Sequence, residues 1–153
     1  VILPKTVRAI GNSAFNFATT LEKVEISGPV EILENSSFYG CDSLQELNFP
    51  DGLKKIGDHA ITACSSLTDL YLPGTVEEID EDNFALCGEP LKIHVPAGSE
   101  TEARLQEIMK SNDDLNIQIL VIVRIIISNC QRKKKVSINP SSEELNLERY
   151  EKD

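Results

Sequence analysis

The stretch Leu53-Lys54-Lys55-Ile56-Gly57-Asp58-His59-Ala60-Ile61-Thr62-Ala63-Cys64-Ser65-Ser66-Leu67-Thr68-Asp69-Leu70-Tyr71-Leu72-Pro73 decides the fold, because its apolar residues have counterparts 23 positions away in both directions. Ile61 belongs with Phe15, Phe38 and Phe84; Leu53 with Val7, Val30 and Val76; Ile56 with Ile10, Leu33 and Ile79. Leu70 belongs with Val24, Leu47 and Ile93, and Leu72 with Ile26, Phe49 and Val95. Leu21, Leu44 and Leu67 form a sixth column that breaks at Pro90, and Cys41, Cys64 and Cys87 a seventh that begins at Ala18. A unit this short cannot bury its own apolar face, so units must stack and share a core, with the columns as the inner wall.

Within the unit, Leu67-x-x-Leu70-x-Leu72 ends in period-2 alternation, which reads as a short strand with Leu70 and Leu72 inward and Asp69 and Tyr71 outward. Pro50, Pro73 and Pro96 end such strands, since proline cannot donate to the ladder. Leu53 and Ile56 suggest a short extended return, and residues 58–64 one or two helical turns with Asp58 as N-cap. Stacked strands form a parallel sheet at a spacing of about 4.8 Å. Arg8, Glu31, Lys54 and Glu77 share one outward phase and alternate in sign, which favours the same register.

The chain has 153 residues, with 41% apolar and 26% charged residues, which suits one domain, or one domain plus an appendage, and argues against wholesale disorder. The formal net charge of -10 argues against a nucleic-acid binder, because phosphate neutralisation needs the opposite sign. The charge is uneven, with 8 basic and 20 acidic side chains in residues 1–116 but 7 and 5 in residues 117–153, so the tail is a different kind of segment. Its basic run Arg132 to Lys135 has no interleaved aromatics and reads as a solvated turn or a juxtamembrane flank.

These residues resemble the BspA-like, treponeme-type leucine-rich repeats. The likeness lies in Leu3-Pro4 through Leu21, Phe49-Pro50 through Leu67 and Leu72-Pro73 through Cys87, and it covers about residues 1–110. Ile93-His94-Val95-Pro96-Ala97-Gly98-Ser99 resembles the sequence with which arrays of this family often end. Departures are Ala18 for Cys, Ile61 for Phe, Ser27-Gly28-Pro29 where a unit normally begins Pro-x-x, and an irregular Gly88-Glu89-Pro90. The resemblance implies a right-handed solenoid and a cell-surface or secreted protein that binds other macromolecules.

The expected fold is therefore α/β: a leucine-rich-repeat solenoid of about four units over residues 1–98, a capping helix over 99–114 and a β-rich C-terminal extension over 115–153. Ser99 with Glu102 gives the helix a capping box, and Ala103, Leu105, Ile108 and Met109 give it an apolar face. The β-branched run after Leu115 reads as strand. Its segment 117–127 precedes a basic run as a membrane anchor would, but it is too short to span and contains Arg124. Asn139-Pro140-Ser141-Ser142 signals a turn, followed by a short acidic helix to about Tyr150. Val1 shares the phase of Val24, so the chain starts partway through a strand, and edge-to-edge self-association or further upstream repeats would cover that edge.

The chemistry-bearing residues point away from catalysis. Cys41, Cys64 and Cys87 have no zinc spacing and read as small buried thiols; Cys130 reads as a free thiol. His59 falls on an outward turn, Asp80-Glu81-Asp82 reads as a solvated acidic turn, and Asn35-Ser36-Ser37 is a glycosylation sequon that places Asn35 at the surface. No cofactor or metal is expected, and no nucleophile, phosphate-loop or zinc-helix motif supports an enzyme. The outward strand face carries Glu25, Asn48, Tyr71 and His94 in one column and Lys23, Glu46, Asp69 and Lys92 in the next. Non-catalytic recognition of a protein or glycan through these eight residues is the leading function, with Tyr71 as anchor. The alternative is a structural spacer or stalk within a longer repeat protein.

Overall fold

The computed structural model describes residues 1–122, together with Ile138–Asn139 and Glu144–Leu145. In chain order the elements are β1 (Ile2–Leu3), β2 (Ala9–Ile10), β3 (Glu25–Ile26), β4 (Ile32–Leu33), β5 (Glu46–Asn48), β6 (Lys55–Ile56), β7 (Asp69–Tyr71), β8 (Leu91–Pro96), α1 (Glu100–Ser111), β9 (Ile117–Ile122), β10 (Ile138–Asn139) and β11 (Glu144–Leu145). Each coil of the solenoid has three sides. The strand side carries β1 and β3 as one parallel pair and β5, β7, β8 and β9 as a parallel sheet. The return side carries β2, β4 and β6, also parallel, and a bridge from Lys55 to Glu78 extends it into the next coil.

Pairing follows the 23-residue period: Leu3 opposes Ile26, Leu33 opposes Ile56, and Leu47 opposes Leu70, which opposes Ile93. The apolar columns therefore stand one above another inside. Phe15 and Phe38 stack with ring centroids 5.0 Å apart, and the spine continues through buried Ile61 and Phe84. Full burial of each such side chain is worth about 1.5–3 kcal/mol, and neighbouring coils share that gain. The outward charge column is tied only in part: Arg8 lies 3.8 Å from Glu31, while the shortest return-side ion pair is Lys55 with Glu78 at 2.7 Å, one residue further on.

On the third side the chain makes successive turns, and only the last coil forms a true helical turn, a 3-10 helix over Glu81–Phe84. The expected helix over 58–64 is interrupted for a hydrogen-bonding reason. The N–H groups of Ala14, Asn16 and Ala18 close local turns, whereas those of Ser13, Phe15 and Phe17 are donated to Asn35, Ser37 and Tyr39 of the next coil. The same alternation recurs one coil on, where Ser36, Phe38 and Gly40 donate to Asp58, Ala60 and Thr62. Sending every second N–H sideways requires left-handed backbone at Ser13, Ser36 and His59, and again at Phe17, Gly40, Ala63 and Leu86. Asp58, expected as an N-cap, donates its own N–H to Asn35 Oδ1. Asn35 is exposed, as its sequon required. In the last coil buried Asn83 substitutes its side chain for backbone, its Oδ1 accepting from the Ile61 N–H.

The helix α1 is capped as its sequence indicated, with Ser99 Oγ accepting from the Glu102 N–H and Glu102 accepting from the Gly98 N–H. Its buried face differs from the expected one. Thr101, Leu105 and Ile108 are buried, while Ala103 and Met109 are exposed, because Thr101 bridges two backbone groups of the preceding coil. Its hydroxyl donates to the Pro73 carbonyl and accepts from the Val76 N–H.

After α1 the chain returns to the strand side, where β9 pairs with all six residues of β8. The step is now 26 residues, Leu91 opposing Ile117, because the helix has replaced the return and turn segments. The segment 117–122, considered above as an anchor, is thus a strand of the main sheet, and among the described residues no helix is long and apolar enough to cross a membrane. β10 and β11 pair antiparallel, Ile138 with Leu145 and Asn139 with Glu144, so Glu144 and Leu145, expected in the acidic helix, are strand; the expected turn at 140–143 and the rest of that helix lie outside the described residues. Arg124, Cys130 and the basic run 132–135 lie outside the described residues.

Candidate recognition face

Because side chains alternate along a strand, the residues between the buried columns project from the outer face of the sheet. The structure distributes the eight expected residues over two groups. Lys23, Glu25, Glu46 and Asn48 are exposed, whereas Asp69, Tyr71 and Lys92 are half-buried and His94 is buried, with 2% of its surface accessible.

The second group forms one cluster. Tyr71 and His94 stack with centroids 4.1 Å apart and planes 9° from parallel. His94 Nε2 lies 2.9 Å from Asp69 Oδ1, Lys92 Nζ lies 3.3 Å from the same oxygen, and Thr68 Oγ1 donates to Asp69 Oδ2 at 2.9 Å. Partial burial opposes ionisation of Asp69, but the hydrogen bonds from His94, Thr68 and Lys92 outweigh it and hold the carboxyl below its ordinary value. His94 was expected as a solvent-facing member of its column. Its burial comes from its neighbours, since Tyr71 covers one side and β9 places Leu120 directly opposite on the other. Tyr71 too has a strand on each side, but its partner on β5 is the polar Asn48 where His94 has Leu120.

The first group borders an opening. Although β3 and β5 are successive strands of the same side, no ladder joins them, and among the described residues no backbone hydrogen bond links 22–26 to 45–49. A cleft of about 730 Å³ lies there, lined by Glu22, Lys23, Glu25, Gln45, Glu46 and Asn48 among others. Lys23 pairs with Glu25 at 3.3 Å on its own strand. The coils remain bonded on their other two sides, so they diverge only here. The irregular Ser27-Gly28-Pro29 lies at the start of this divergence: Gly28 packs against the Lys5 and Val7 carbonyls of the first coil so closely that a Cβ would sit 2.9 Å from Val7 O. That holds the second coil toward the first. Glu22 and Gln45 were not among the expected residues, and the only sequence signal for them is this departure from the repeat.

The cysteine column is structural. Cys41, Cys64 and Cys87 direct their thiols at the Phe15, Phe38 and Ile61 carbonyls at 3.1, 3.1 and 3.3 Å. Burial pushes the Cys87 thiol up to about 11, so it stays protonated and able to donate at neutral pH. His59 is exposed. Among the described residues no group of three or more His, Cys, Asp or Glu side chains is placed to hold a metal ion.

Stacked parallel coils of one fixed length, with an apolar spine and a polar outer strand face, define a leucine-rich-repeat solenoid. The chain belongs to the BspA-type leucine-rich repeat family, whose model matches residues 1–104 in six copies. Among solved structures it is similar to a leucine-rich repeat protein of T. pallidum, with 34% identity and a TM-score of 0.54 over 61% of this chain and 44% of that one. It is also similar to a leucine-rich cell surface protein of Faecalibacterium prausnitzii A2-165, with 30% identity and a TM-score of 0.59 over 67% of this chain and 27% of the other. A leucine-rich repeat protein of Bacteroides ovatus shares the fold at 21% identity, with a TM-score of 0.61 over 75% of this chain and 28% of its own length. The chain thus spans less than half the length of each of these structures. No curated protein matches it.

Proposed function

We propose that the chain is a non-catalytic, cell-surface recognition module that binds a protein or glycan through the outer face of its repeat strands. The observation that carries this reading is the contrast between the two faces of one sheet. Leu47, Leu70 and Ile93 are sealed inside, while Glu46 and Asn48 beside them stand exposed on a strand held in register by its ladder with β7. Side chains fixed in register on such a scaffold lose little freedom on binding, which is how solenoid faces gain affinity without a deep pocket. The family and the F. prausnitzii cell surface relative support the surface location.

The Tyr71–His94 stack makes Tyr71 part of the sheet's own packing, so the exposed group is the better place to test. The chain and its Glu25→Ala/Glu46→Ala/Asn48→Ala variant would be applied to a panel of immobilised glycoproteins and to a glycan array. Ligands retained by the wild type and weakened about tenfold or more in the variant, at unchanged melting temperature, are expected. Equal retention by both would remove this face from the function. The second reading, a spacer within a longer array, draws on the 27–44% of its solved relatives' length that the chain covers. It predicts that only a longer parent is retained.

A further inference from the structure

The cleft between β3 and β5 has a property that a merely polar surface lacks: it is bordered by two strand edges whose hydrogen-bonding groups face each other without meeting. In the next pair of coils Thr68 donates to the Gln45 carbonyl and Phe49 to the Tyr71 carbonyl, and in the previous pair Glu25 donates to the Val1 carbonyl. Translated to the gap, those bonds would be Gln45 to Glu22, Ile26 to Asn48 and Asn48 to Val24, and none of the three is formed. Strand edges of this kind are templates for an added strand.

We propose that an extended peptide segment carrying basic side chains docks in this cleft by pairing its backbone with the freed edges of β3 and β5. The proposal rests on the recognition reading above and names the partner of that face. Charge selects the occupant. Glu22, Glu25 and Glu46 line the cleft, and Lys23, the one cation lining it among the described residues, is already paired with Glu25. A chain with lysine or arginine at alternate positions would place those side chains along the carboxylates while its amides meet the backbone. A glycan fits less well, since among the described residues no aromatic side chain lines the cleft to stack on a sugar ring.

The test uses the heptapeptide Lys-Val-Lys-Val-Lys-Val-Lys, its glutamate counterpart, and a version N-methylated at alternate amides, each titrated into the full chain and followed by amide NMR and hydrogen exchange. Binding of the lysine peptide should slow exchange at Ile26, Gln45 and Asn48. The N-methylated peptide and the Glu25→Lys/Glu46→Lys variant should each lose about tenfold or more in affinity, and the glutamate peptide should not bind. Equal binding by the N-methylated peptide would show attraction by charge alone and overturn the proposal, as would binding with those three amides unprotected. Capture of a glycan through Glu25, Glu46 and Asn48, with the lysine peptide inert, would overturn it while leaving the recognition face intact.

Discussion

Four residues at one phase of the repeat, Phe17, Gly40, Ala63 and Leu86, all hold φ between 54° and 69°. Only one of the four is glycine, which is why the left-handed turn could not be read from the chain, whereas the column one position on, Ala18, Cys41, Cys64 and Cys87, could. An L-residue costs about 1–2 kcal/mol in that region, and glycine almost nothing. The two types should therefore respond in opposite directions to exchange. Ala63→Gly should raise the melting temperature by about 2–4 °C, and Gly40→Ala should lower it by at least as much. At Gly40 a second penalty adds to the first, since the new Cβ would lie 2.7 Å from the Phe17 ring. Phe17 is 64% exposed, so its ring can swing away, and the backbone term should dominate. Thermal melts of the two variants that moved the same way would show that the turn tolerates either hand.

Among the elements, α1 was the most readable from local signals, whereas β9 could be read as a strand but not placed in the sheet. Ser99 and Glu102 mark the helix start by their own chemistry, but the face it buries is set by Thr101, a residue that no apolar periodicity selects. Thr101 serves the Pro73 carbonyl and the Val76 N–H together, so it ties the helix to the coil by groups that would otherwise be buried without partners. Thr101→Val keeps the shape and removes both bonds. It should cost about 1–3 kcal/mol, the penalty of orphaned buried polar groups, and speed hydrogen exchange over 100–111 more than over β7. A valine variant as stable as the wild type would mean that Leu105 and Ile108 alone dock the helix. For β9, a β-branched run was enough to indicate a strand but not its partner, because the 26-residue step that seats it beside β8 depends on the helix between them. The burial of His94 followed from that pairing and was hidden for the same reason.

At the scale of the whole molecule, the solenoid was legible because translational stacking makes sequence period and ladder register the same number, 23, in every pair from β1–β3 to β7–β8. What that symmetry conceals is every place where one coil differs from the next, and the cleft after β3 is the chief instance. Stacking also makes stability a sum of nearest-neighbour terms, so a residue's worth depends on how many coils it touches. Phe38 lies fully buried between Phe15 and Ile61, with a coil on each side. Phe15 has the same ring and the same stack but is only half-buried, and its described neighbour is on one side. Phe38→Ala opens a cavity bounded by two interfaces and should cost about 3–5 kcal/mol, whereas Phe15→Ala opens toward solvent and should cost less than half of that. Urea denaturation of the two variants at one temperature measures the difference directly. Equal losses would mean that the first coil is held as firmly as the second, and nearest-neighbour stacking would then be the wrong account of how this chain stays folded.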